Sequence, residues 1–126
     1  MLRKIYFFTL ILLAAFVLTA CSSTKLTGVY VMDESDEALK PNVTLEEGNK
    51  FRFSYSALSS YLAIGTYEIE NNNLILKTKD GLYKYVFKIE DDSLIFDANE
   101  SSELPSYANI PDGAVFNLKD IDYADE

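Results

Sequence analysis

Leu82-Tyr83-Lys84-Tyr85-Val86-Phe87-Lys88-Ile89-Glu90 is the stretch that decides the fold. Tyr83, Tyr85, Phe87 and Ile89 alternate with Lys84, Val86, Lys88 and Glu90. A period of two sends successive side chains to opposite faces of an extended strand, whereas a helix would spread them around its axis. Aromatic residues also suit a pleated surface. The segment therefore predicts a strand with one aromatic, core-facing side.

The same period extends outward from it. Residues 93–97 place Leu94 and Phe96 on one face, and residues 74–79 place Leu74 and Leu76. Residues 65–70 carry Tyr67 and Ile69 opposite Glu68 and Glu70; residues 50–56 carry Phe51, Phe53 and Tyr55 opposite Arg52, Ser54 and Ser56. Residues 26–32, 43–46 and 114–118 complete eight strands. The connections Glu47-Gly48-Asn49, Asn71-Asn72-Asn73, Asp80-Gly81 and Asp91-Asp92 are hairpin chemistry. Strands joined so tightly pair antiparallel. A meander of about eight short strands must protect its edges, and closure does so. The expectation is an all-β fold, a small antiparallel up-and-down barrel or a strongly curled sheet, following an N-terminal signal helix. Segment 56–64 is expected to form one helical turn. Loop 98–113 is expected to be irregular.

Ten aromatics fall on the expected inward faces: Tyr30, Phe51, Phe53, Tyr55, Tyr67, Tyr83, Tyr85, Phe87, Phe96 and Phe116. Rings that each bury roughly 150–250 Å² would nearly fill an eight-stranded barrel. An interior void above about 300 Å³ would point to an enclosed ligand, and a filled interior to an interaction surface.

The first twenty-one residues locate the protein. Arg3 and Lys4 precede an apolar run from Ile5 to Ala20, interrupted only by Thr9 and Thr19, and then Cys21. The run is short for a membrane span and suits a secretory leader. Leu18-Thr19-Ala20-Cys21 resembles a bacterial lipobox. That resemblance implies cleavage before Cys21 and a diacylglyceryl thioether on it, with fatty acyl chains of the palmitate kind. The domain plan is a signal peptide over 1–20, a lipidated tether over 21–25, a β-barrel over 26–118 and an acidic tail over 119–126. The implied place is the bacterial cell membrane or outer membrane, with the domain outside the cytoplasm.

Composition excludes several functions. The chain has 126 residues and a net charge of −9. Losing Arg3 and Lys4 with the leader takes the mature domain to −11. So acidic a surface repels nucleic acid. With no His there is neither the commonest general base nor the commonest metal ligand. With one Cys there is no intrachain disulfide. No Gly-x-Ser-x-Gly turn is present to present a serine nucleophile. Twenty acids make carboxylate neighbours in sequence uninformative. Asp33, Glu34, Asp36 and Glu37 could offer oxygens to Ca²⁺, but lack the EF-hand spacing and fit a solvated loop. The expectation is a non-enzyme with no cofactor and no metal.

Gly28-x-Tyr30 opens the first strand, and Gly65-Thr66-Tyr67-Glu68-Ile69 leads the central meander; Leu74-Ile75-Leu76, Tyr85-Val86-Phe87 and Leu94-Ile95-Phe96 follow. This order resembles small lipocalin-like domains of bacterial lipoproteins. The stretch from Ser59-Ser60-Tyr61-Leu62 to Pro111-Asp112-Gly113-Ala114-Val115-Phe116 is similar to an extracytoplasmic domain of low-GC Gram-positive bacteria. The resemblance implies a barrel without catalytic residues, and the domain is expected to be a monomer. The expected function is a lipid-anchored envelope module that binds a small apolar or amphipathic ligand at the barrel mouth. The alternative is a protein-interaction module whose acidic surface engages a cationic envelope partner. Segment 56–64 and loop 98–112 would build the mouth, with Ser59, Ser60, Tyr61 and Tyr107 as candidate ligand contacts.

Overall fold

The computed structural model describes residues 26–119. The leader, Cys21 with the rest of the 21–25 tether, and residues 120–126 of the acidic tail lie outside the described residues. The order is β1 (Gly28–Val31), β2 (Asn42–Glu46), β3 (Lys50–Ser54), β4 (Ala63–Glu70), β5 (Asn73–Thr78), β6 (Lys84–Glu90), β7 (Ser93–Asp97) and β8 (Val115–Lys119). Each strand pairs antiparallel with the next, and β1 pairs with β8, so the sheet is a closed barrel. Closure rests on Tyr30 lying opposite Leu118. The all-β, eight-stranded barrel is thus as the alternation predicts. Strand β8 runs on to Lys119, one residue into the expected tail.

The turns follow local chemistry. Asn49, Asn71, Asn72 and Asp91 all take positive φ. Asn and Asp tolerate that region best among residues with a side chain. These short hairpins share one end of the barrel with the start of β1 and the end of β8. The four longer connections, 32–41, 55–62, 79–83 and 98–114, share the other. The two ends are called here the hairpin end and the loop end.

The interior is filled. Eight of the ten expected inward aromatics are buried. Phe53 sits at the centre, edge-on to Tyr55, Tyr85, Phe87 and Phe116 at ring separations of 5.6, 5.1, 5.6 and 6.2 Å. Such edge-to-face contacts pack rings at interior density without stacking their negative faces. The Tyr30 hydroxyl donates to the Leu26 carbonyl at 2.9 Å, which satisfies a buried phenol locally.

Four expectations need correction. Tyr83 is 38% exposed because β6 starts only at Lys84 and Tyr83 belongs to the preceding turn. Ile69 is 46% exposed because β4 beyond Thr66 has no β3 residue opposite it and overhangs the barrel. Segment 56–64 forms no helix; a single turn at Ala57-Leu58, in which the Ser59 N–H donates to the Ser56 carbonyl at 3.3 Å, precedes β4. Val86, outward by alternation, is buried. Its N–H is bonded to the Ser101 hydroxyl at 2.8 Å, so loop 98–113 folds back along β6.

Candidate functional site

The loop end carries a cluster of hydroxyls built by the turn between β5 and β6. Thr78 ends β5 with its side chain inward. Its hydroxyl donates to Asp80 Oδ1 at 2.7 Å and accepts from the Tyr83 N–H at 3.0 Å. Asp80 Oδ1 also accepts from the Leu82 N–H at 3.0 Å. Gly81 completes the turn at φ +77°, its N–H donating to the Thr78 carbonyl at 2.9 Å. From the facing loop the Tyr61 hydroxyl donates to Asp80 Oδ2 at 2.5 Å. The Ser59 hydroxyl donates to the Tyr55 oxygen at 3.0 Å and accepts from the Tyr61 N–H at 3.2 Å. The Tyr61 ring meets Tyr83 edge-on at 5.2 Å, and Tyr83 stacks on Tyr85 at 6.3 Å.

The electrostatics follow. The Tyr61 hydroxyl, with Thr78 and the Leu82 amide, holds the Asp80 carboxyl below the usual carboxylate range. A carboxylate so held is a clamp and a weak proton acceptor. Burial, and then the hydrogen bond to Asp80, pushes the Tyr61 phenol up. Burial pushes the Tyr85 phenol up strongly, reinforced by Tyr55, Tyr61, Tyr83 and Asp80. Tyr30 and Tyr67 are raised by burial as well.

These shifts set an alkaline limit. A phenol whose folded pKa lies above the ordinary value of about 10 contributes stability that is complete below pH ~10 and lost as pH rises through the folded value. Phenolate from Tyr30, Tyr61, Tyr67 and Tyr85 should therefore appear late. The check is a titration followed by phenolate absorbance and by circular dichroism together. The late fraction of phenolate should rise with the loss of β signal. Full phenolate formation with the barrel still folded would refute the assignment.

Among the expected contacts, the structure brings Ser59 and Tyr61 into this cluster. Ser60 is exposed, and Tyr107 is 41% exposed on its own loop. Loop 98–113 acts chiefly as a plug. Ile110 is buried in the core, with Leu104 and Ala108 packed against it. Ser102 ties the loop to Lys84 from both sides, N–H to carbonyl at 2.7 Å and hydroxyl from amide at 2.9 Å. The acidic loop 33–37 is anchored too: Asp33 meets Lys119 at 2.6 Å and Asn117 at 3.0 Å, and Glu37 accepts from Asn109 at 2.7 Å. The Lys119 and Asn117 bonds hold the Asp33 carboxyl low.

Sequence reasoning missed part of the loop end. Leu39, Leu58, Leu62, Leu82, Tyr83 and Tyr107 are six of the eight large apolar side chains exposed among the described residues. All four loops contribute. A half-open groove of about 530 Å³ lies between residues 38–40 and 56–59, with Leu39, Ala57 and Ser59 on its walls. The signal was available, because a leucine in a polar loop such as 33–42 or 79–83 must either cover something or stay exposed. No family model, curated protein or solved structure matches the chain.

Proposed function

We propose that this chain is a lipid-anchored, non-catalytic binding module of the cell envelope that engages an amphipathic, cationic partner through its loop end. One observation carries the reading: six of the eight exposed large apolar side chains among the described residues gather on the loops at the end of the barrel opposite the start of β1. The same four loops hold eight acids against two lysines. Apolar groups edged by carboxylates complement a surface that is apolar edged by cations.

The filled interior favours contact across the loops over an enclosed ligand. A thioether on Cys21 would hold the hairpin end toward the bilayer, since five residues reach at most about 17 Å from Cys21 to Leu26. The apolar loops would then point away from lipid, toward a partner. Two acyl chains give durable anchoring where one does not.

The test is capture of partners from detergent-solubilised native envelope. A triple variant, Leu58→Ser, Leu82→Ser and Tyr107→Ser, should lose at least about tenfold in capture, or roughly 1.4 kcal/mol. Its melting temperature should hold, since all three side chains are exposed. Ile69→Ser, at the hairpin end, should capture normally. Cys21→Ser should leave an unprocessed precursor. Equal capture by the triple variant would remove the loop end from the function, and normal processing of Cys21→Ser would remove the anchor.

A further inference from the structure

One face of the barrel wall reverses the charge of the chain. The register sets two rows of outward side chains across β3, β4 and β5. In one row Lys50 lies opposite Thr66, and Thr66 opposite Lys77. In the next, Arg52 lies opposite Ile64, whose carbonyl accepts from the Lys79 N–H at 2.8 Å. Two strand spacings separate the cations of each row by about 10 Å, and two residues of strand separate the rows by about 7 Å. Ile64 and Thr66 form a small, partly apolar floor between them. The result is a half-open groove of about 600 Å³.

Its charges are largely unspent within the protein. Lys77 pairs with Glu68 at 2.9 Å, and Glu46 stands at the rim. Lys50, Arg52 and Lys79 make no ion pair among the described residues. Sixteen acids among the described residues offered carboxylates for them. Three cations left around one groove in so acidic a chain repel one another until an anion joins them.

We propose that this groove binds a small molecule bearing at least two oxyanion groups, phosphate or carboxylate. Arg52 offers its planar fork to one group, as guanidinium suits either oxyanion bidentately. Lys79 and Lys50 hold the other groups, and the stem between them crosses Ile64. At physiological salt the Debye length is about 8 Å. Remote carboxylates are therefore screened, while cations in contact with the ligand are not. The site lies on the barrel wall, touches the loop end only through Lys79 just past β5, and does not depend on the loop-end reading.

The experiment is calorimetric titration of the full chain in neutral detergent at physiological ionic strength, with tripolyphosphate and citrate as separate probes. The expected result is saturable binding of at least one. Arg52→Gln and Lys79→Gln should each weaken it about fivefold or more, and Lys88→Gln, on the outward face of β6, should leave it within about twofold. A response to tripolyphosphate alone assigns phosphate as the recognised group; a response to citrate alone assigns carboxylate. The proposal is overturned if neither probe saturates below about 10 mM, a contribution of under ~3 kcal/mol. It is equally overturned if Lys88→Gln weakens binding as much as the groove variants.

Discussion

Phe87→Ala is expected to destabilise the barrel by about 3–5 kcal/mol, the range for truncating a buried aromatic ring. The side chain is fully buried in mid-strand. Its ring meets Phe53 at 5.6 Å and both Phe96 and Phe116 at 5.4 Å. Removing it deletes three ring contacts and leaves a cavity that its neighbours fill only in part. Domains of this size have total stabilities of about 5–15 kcal/mol, so the variant should retain little margin. Urea unfolding of the wild type, Phe87→Leu and Phe87→Ala checks it. Leucine keeps most of the volume and should cost clearly less. A loss under about 1 kcal/mol for alanine would place Phe87 outside the core and shift the strand's phase by one residue.

That phase was legible because it is local. Tyr85 and Phe87 alternate with charged or smaller neighbours, and burial of one side follows from a two-residue period. Hairpin pairing was legible for the same reason, since Asn and Asp mark the tight turns. What escaped depends on contacts far apart in sequence. Val86 reads as outward, and only the return of Ser101 along β6 buries it. Tyr83 and Ile69 keep the correct parity yet lie where the barrel wall has ended. At the candidate site, Ser59 and Tyr61 could be singled out as hydroxyls in an apolar loop, but their partner Asp80 reads as an ordinary turn residue. The cationic groove was the least visible. Lys50, Arg52, Lys77 and Lys79 each look like a solvated position on its own strand. Only the register of β3 against β4, and of β4 against β5, sets them around Ile64.

Gly65→Ala should be the most damaging change of a single methyl group, at about 3 kcal/mol or more. The reason is space, since the backbone there lies outside the left-handed region. Gly65, like Thr66 beside it, is paired on both sides, opposite Phe51 of β3 and Thr78 of β5. A Cβ at this point would stand 2.0 Å from the Lys77 carbonyl oxygen and 2.9 Å from the Lys79 nitrogen. Neither atom belongs to a side chain that could swing aside. Strand β5 would have to retreat, breaking the bond from the Lys79 N–H to the Ile64 carbonyl and dragging Thr78 from the turn that holds Asp80. Gly48 offers the contrast. It has φ +81° and open space around its missing Cβ. Gly48→Ala should therefore cost only about 1–2 kcal/mol, the penalty of a left-handed backbone. Chemical denaturation of both variants ranks the two causes. If Gly48→Ala proved the costlier, conformation would outweigh contact in this sheet, and β4 and β5 would have room to separate. If Gly65→Ala is the costlier, its loosened β5 should also release the Tyr61–Asp80 bond, and the late phenolate of Tyr61 should appear at lower pH than in the wild type.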